Sequence, residues 1–200
     1  MTLIGLTGGV GMGKSTTARF LAERGLPVVD TDQLARDVVE PGQPTLAALV
    51  EAFGTGILKK DGALDRPAMA GKVFADAACR RHVESIVHPA IRERWEATVR
   101  WWREEGRLAG VVIIPLLLET SAEGEFDVIL CSACAAASQE TRLLRRGWPA
   151  EQVRQRIAAQ FPAARKMDAA RYVIWTEGAF DVHAAQVDRV LRAMGLSSGS

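Results

Sequence analysis

The sequence predicts an α/β fold, a doubly wound parallel sheet wrapped in helices. Three observations carry that expectation. Residues Gly8 to Ser15 spell Gly-Gly-Val-Gly-Met-Gly-Lys-Ser, a complete G-x-x-x-x-G-K-[ST] phosphate loop lying between an apolar run and a helix start. Five short apolar runs show no strict alternation, which is how strands buried on both faces read. Helical patterns separate those runs, as a parallel sheet with crossover connections requires. The 200 residues are 48% apolar, enough to pack one domain core.

In chain order, the first strand is Leu3–Thr7. The phosphate loop follows, then a helix through Thr16–Glu23 that Gly25 can end. Pro27–Asp30 is the second strand and opens into a helix over Gln33–Val39. From Gln33 to Gly106 the chain is far longer than one crossover needs. That stretch holds several helices, a turn at Lys60-Asp61-Gly62, and one or two amphipathic helices over His82–Glu105. Trp95, Trp101 and Trp102 in it read as packing residues ahead of ligand contacts. Gly110–Leu116, Phe126–Cys131 and Tyr172–Trp175 are the remaining strands, with Pro115-Leu116-Leu117-Leu118-Glu119 closing the third. The Ser197–Ser200 tail is expected to fray.

The loop's spelling has a chemical reason. A triphosphate needs backbone N–H groups turned inward, and glycines allow so tight a turn. The following helix adds the positive end of its dipole. Lys14 would reach the β- and γ-phosphates, and the Ser15 hydroxyl would bind Mg²⁺. Beyond the second strand, Asp30 and Asp32 stand at its carboxyl end, the edge where open α/β sheets bind ligands. Asp32 is a candidate base for an acceptor hydroxyl, while Thr31 or Asp32 can equally serve as helix caps. A Walker-B strand would close with Asp, and the third strand has none. Asp32 or Glu119 must therefore supply any carboxylate near the metal, with Glu119 also readable as a surface residue. Between Arg142 and Arg171 stand eight cations against Glu151 and Asp168, a local +6 in a chain of net +1. Singly these arginines read as a solvated helix face; together they lie where a P-loop kinase carries its lid.

The near-neutral charge gives no pull toward nucleic acid or membrane. No apolar run approaches about 18 residues. The chain enters a strand at once, without the basic and apolar regions of a signal peptide. A soluble cytoplasmic protein is the expectation. Cys131-Ser-Ala-Cys134 lacks the second ligand pair of a zinc site. It reads as small residues near a strand end, or as a redox pair.

These residues resemble the dephospho-coenzyme A kinase family. The likeness covers about residues 3 to 192 and rests on an ordered set: Leu6–Thr16, Val29-Asp30-Thr31-Asp32-Gln33-Leu34-Ala35-Arg36, Val39-Glu40-Pro41-Gly42, Leu64-Asp65-Arg66, Val73-Phe74, Ile86-Val87-His88-Pro89-Ala90-Ile91, Pro115–Glu119, Arg142–Arg146 and Arg156–Gln160. The resemblance implies a P-loop NTPase fold with a five-stranded parallel sheet, a helical substrate-binding insert at about 33–106 and a helical lid at about 138–170, all within one kinase domain of residues 1–200. It implies ATP-dependent phosphorylation of the ribose 3′-hydroxyl of dephospho-CoA, giving CoA and ADP.

By the same resemblance, Gly11, Met12, Gly13, Lys14, Ser15 and Thr16 bind ATP. Asp32 is the general base, assisted by Lys14 and the lid residues Arg142 and Arg146. Asp32, Arg36, Arg66, His88 and Leu117 face the acceptor. Mg²⁺ is held through Ser15 and ATP, with Glu119 a second candidate ligand. The partner is a small molecule, with no nucleic acid or membrane involved, and the protein is a monomer or weak homo-oligomer. The chain departs from the family pattern at Met12 (usually Ser), at Arg146-Gly147, which runs on directly where the family usually carries Arg-Asp-Gly, and at Arg171 and Thr176 (usually Asp and Asn).

A kinase for nucleoside monophosphates or a small alcohol would share the loop and lid, but Leu64–Arg66 and His88-Pro89 argue against it. A GTPase-type switch would need D-x-x-G, and no Asp stands three residues before a glycine. Arg165-Lys166-Met167-Asp168 imitates the end of N-K-x-D without its Asn.

Overall fold

A computed structural model describes residues 1–196, with the backbone alone for Phe74 and Ala75. The Ser197–Ser200 tail lies outside the described residues. Strand β1 (Thr2–Thr7) is the centre of a five-stranded sheet ordered β2-β3-β1-β4-β5. It pairs in parallel with β3 (Ala109–Ile113) on one side and β4 (Val128–Ala133) on the other. Strand β5 (Tyr172–Trp175) extends the sheet from β4, and β2 (Val28–Asp30) takes the edge beside β3. Every residue of β3 is buried, which explains its unbroken apolar run. At Gly110 a Cβ would sit 2.3 Å from the Trp102 ring, so the strand's glycine makes room for that tryptophan.

Helices α1 (Lys14–Glu23) and α9 (Phe180–Ala193) cover the sheet. Phe20, Leu21, Val187 and Leu191 from these helices join Ile4, Leu6, Val111, Leu130 and Ile174 in one core. Gly25, at φ +84°, ends α1 as expected, its N–H bonded to the Ala22 carbonyl. Between β4 and β5 run α6 (Ala136–Arg145), α7 (Ala150–Ala158) and α8 (Ala163–Asp168).

The chain divides into two compact units, Asp30–Trp101 and the remainder. The first is helical: α2 (Thr31–Asp37), α3 (Pro44–Phe53), α4 (Arg66–Ala75) and most of α5 (Ala77–Glu104). Its own core holds Val38, Val39, Leu49, Ile57 and Met69, with Ile86, Val87 and Ile91 of α5 packed on them. The His82–Glu105 region belongs to a single helix of 28 residues that contains Pro89. Trp95 and Trp102 are buried, while Trp101 remains about half exposed.

Several boundaries move, the larger shifts for local reasons. Strand β3 stops at Ile113 rather than Leu116, because Pro115 has no N–H to donate to a ladder. The chain turns instead, with the Leu117 N–H on the Ile114 carbonyl, and tucks Leu117 and Leu118 inward. Strand β4 begins at Val128 rather than Phe126 and runs past Cys131 to Ala133, because Ser132 and Ala133 pair with Ile174 and Trp175 of β5. Helix α1 starts at Lys14, two residues ahead of Thr16, because Gly13 can act as its cap. Helix α2 starts at Thr31, two residues ahead of Gln33. Its cap is Asp30, not Thr31 or Asp32: the Asp30 carboxylate accepts the Asp32 N–H at 2.9 Å.

Candidate active site

Strand β1 delivers the chain into the phosphate loop at its carboxyl end. At Gly8, φ is +143° and a Cβ would lie 2.3 Å from the Ser132 carbonyl oxygen, so only glycine fits. Gly13, at φ +88°, caps α1, and the Thr16 and Thr17 N–H groups point to its carbonyl at 3.0 and 3.1 Å. With glycine as the cap, no side chain of the cap residue competes for the N–H groups of the first turn. Lys14 folds back over the loop, its Nζ 2.8 Å from the Gly8 carbonyl and 3.1 Å from that of Gly9. Ser15 is exposed and Thr16 half-buried. The glycine-capped loop, its lysine and a hydroxyl-bearing residue thus stand together at one helix N-terminus.

Side chains from the α6–α7 segment reach the crest of this loop. Gln139 and Gln160 hydrogen-bond the backbone of Val10. Arg142 of α6 donates to the hydroxyl of Thr176 at 2.8 Å and to its carbonyl, and the Thr176 hydroxyl donates to the Met12 carbonyl at 3.1 Å. Met12 is buried. Thr176, one of the two late departures, therefore joins Arg142 to the loop. The other, Arg171, stands at the start of β5, where its N–H donates to the Ile129 carbonyl. Arg146 is exposed at the C-terminal cap of α6.

Beneath the loop lies a buried polar cluster. The Thr17 hydroxyl is 2.8 Å from Ser132 Oγ and 2.9 Å from His183 Nε2. His183 packs edge-on against Phe20. Burial, with the charges of Arg142 and Arg19, lowers its pKa below the ordinary histidine value. No motif in the sequence marks His183. Its signal was the spacing His183, Val187, Val190 and Leu191, which sets the histidine on the buried stripe of α9.

Glu119 is largely buried and ion-paired. Lys166, fully buried, places Nζ 2.8 Å from Glu119 Oε1 and 2.7 Å from the Pro115 carbonyl. The Phe161 N–H donates to Glu119 at 2.8 Å. Burial pushes this carboxyl up, but the bonds from Lys166 and Phe161 outweigh it and hold the carboxyl below its usual range. Among the described residues, no group of three or more His, Cys, Asp and Glu side chains forms a metal cluster. Cys131 and Cys134 are free and buried; burial raises both thiols, Cys131 to about 11. Thiols held protonated this way are poor redox nucleophiles.

In the helical unit, Asp32 and Arg36 are exposed one turn apart on α2, on the same side of the helix. Arg66 opens α4, whose cap Asp65 accepts the Ala68 N–H, and the Arg66 guanidinium comes within 3.5 Å of the Arg36 carbonyl. His88 is exposed on α5. Leu117 belongs to the sheet unit and has no exposed surface; its Cδ1 packs against Gly5 of β1.

Comparison with known proteins gives a consistent set. The family model for dephospho-CoA kinase matches residues 2–181. A dephospho-CoA kinase of Bdellovibrio bacteriovorus is 38% identical over 192 residues, 96% of each chain. A crystal structure from Thermus thermophilus aligns with TM-score 0.81 at 31% identity, covering 100% of this chain and 98% of that one. The structure of a dephospho-CoA kinase from Campylobacter jejuni aligns with TM-score 0.72 over 96% of both chains; at 20% identity it speaks for the fold alone.

Proposed function

Because the chain belongs to the dephospho-CoA kinase family, we propose that Mg·ATP occupies the Gly8–Ser15 loop and that Asp32 takes the proton from the ribose 3′-hydroxyl of dephospho-CoA. The reaction class is that of the family, phosphoryl transfer from a nucleotide to an alcohol. The γ-phosphoryl group moves to the 3′-oxygen, ADP leaves, and CoA is formed.

The nucleotide half of this reading rests on one observation, the Gly13-capped start of α1 with Lys14 beside it. The first-turn N–H groups and the helix dipole stabilise the phosphates, and Lys14 turns from the Gly8 and Gly9 carbonyls to the β- and γ-phosphate oxygens. An exposed hydroxyl at this helix N-terminus suits a hard cation that prefers oxygen donors, so Ser15 would hold Mg²⁺ together with the phosphates. Bound there, the ion neutralises charge on the transferring group. Gly11, Met12, Gly13 and Thr16 complete the cradle. Arg142, fixed by Thr176, and the exposed Arg146 offset the charge that builds on the phosphoryl oxygens. Glu119 is committed to Lys166 and Phe161, which argues against it as a ligand of the metal.

On the acceptor side, Asp30 spends its carboxylate on the α2 cap, and the exposed Asp32, at the position the family resemblance gives to the base, would take the proton. Arg36 and Arg66 lie together and would receive the acceptor's phosphates, with His88 as a further contact. Among the described residues no helix is long and apolar enough to cross a membrane. We take the enzyme to work in the cytoplasm.

The test is ADP release followed with and without dephospho-CoA at saturating Mg·ATP. Release that depends on the acceptor is expected. ADP formed at the same rate without acceptor would refute the reading.

A further inference from the structure

The loop crest is gripped from two ends of the lid segment. Val10 is the second variable residue of the phosphate loop, and its N–H and C=O lie on the two peptide groups that flank its Cα. The N–H donates to Gln160 Oε1 at 2.9 Å, and the C=O accepts from Gln139 Nε2 at 2.8 Å. One glutamine uses its oxygen and the other its nitrogen, so both polar groups of Val10 are satisfied without adding charge beside a triphosphate.

Neither glutamine is loosely placed. Gln139 is 4% exposed on the first turns of α6. Arg142 and Leu143, three and four residues on, share its face. Leu143 is fully buried against Gly11, where a Cβ would come within 2.9 Å of its Cγ. Gln160 lies just beyond α7, and the N–H of the next residue, Phe161, is tied to Glu119. Glu119 is in turn held by Lys166, which also grips the Pro115 carbonyl just past β3. A continuous chain of bonds thus runs from the end of β3, through Lys166, Glu119 and the Phe161 N–H, to Gln160 and the Val10 N–H.

We propose that Gln139 and Gln160 are positioning residues for the phosphate loop, holding Val10 so that the neighbouring N–H groups face the nucleotide, and that the Glu119–Lys166 pair fixes Gln160 in reach. The inference rests on reading the loop as the ATP site. Losing one glutamine frees a backbone group and lets the crest relax, so the nucleotide must restore the conformation on binding.

The experiment is steady-state kinetics of Gln160→Ala, Gln139→Ala and the double variant, with ATP and dephospho-CoA varied in turn. A lost hydrogen bond to the loop predicts a KM for ATP raised about tenfold in Gln160→Ala. The KM for dephospho-CoA and the Tm should stay close to wild type, a split that a general loss of structure would not give. The double variant should lose less than the product of the single effects, because both side chains hold the same residue. Gln160 is only half-buried, so its variant keeps the test valid should Gln139→Ala fold poorly. An unchanged or lower KM for ATP in Gln160→Ala would overturn the proposal; the lower value would mean that Gln160 competes with the nucleotide. A wild-type protein that bound no ATP would instead remove the reading beneath it.

Discussion

The two units hold their functional side chains in opposite ways. Around the phosphate loop the groups are buried and bonded on several sides: Gln139, Thr17, His183, Lys166 and Thr176 all have little or no exposed surface. In the Asp30–Trp101 unit, Asp32, Arg36, Arg66 and His88 are exposed on helix surfaces. A triphosphate offers closely spaced anionic oxygens, and main-chain N–H groups can be set for them before it arrives, which lowers the cost of ordering them. On the proposed reading, the exposed arginines lose rotamer freedom when the acceptor binds. Changes to the fully buried groups near the loop should therefore disturb stability and ATP handling together, while changes in the helical unit should touch the acceptor or the chemical step and leave the fold intact.

The largest expected effect is on the chemistry. Asp32→Asn should cut kcat by about 10²–10⁴, the range for losing a general base, while ATP affinity and Tm stay near wild type. Unchanged turnover would remove Asp32 from that role. Next comes Lys166→Met, which strands Glu119 in a largely buried site. It should cost about 3 kcal/mol by urea unfolding and also raise the KM for ATP, so that one change moves both readouts. Arg66→Ala should raise the KM for dephospho-CoA about tenfold through a lost charged hydrogen bond, with the KM for ATP and the Tm unmoved. A parallel rise in both KM values would blur the division between the units.

The smallest effect concerns pH. His183 has a folded pKa below its unfolded value of about 6.5. Its contribution to stability is therefore complete above about pH 6.5 and is lost as pH falls below that value, where only the unfolded chain takes up the proton. Thermal melts at pH 7.5 and 5.5 should show a larger drop for the wild type than for His183→Gln. Equal drops would mean that the histidine is not buried neutral.

The phosphate loop was legible because its chemistry is spelled in fixed spacing on contiguous residues. Asp32, proposed as the base, stands out in the sequence by its place after β2, although the capping role there belongs to Asp30. Lys166 shows where that legibility ended. Counted among eight cations of a basic segment, it could not be told from the solvated arginines around it. Its burial depends on the turn at Pro115, which the sequence reading took as more strand. Gln139 and Gln160 carry no charge and no motif of their own, and their partners lie 129 and 150 residues away. Contacts of that range are set by the packing of α6 and α7 rather than by local spelling. The clue available was that Gln139 stands four residues before Leu143 on the apolar side of α6, an odd place for a polar side chain without a partner.

The central claim is that ATP held on this loop passes its terminal phosphoryl group to the ribose 3′-oxygen. Phosphorus NMR of the products formed from Mg·ATP and dephospho-CoA tests it most directly. The account predicts a new phosphomonoester resonance coupled to the ribose 3′ proton, growing in step with ADP. Inorganic phosphate growing in its place, or a monoester at another hydroxyl, would contradict it.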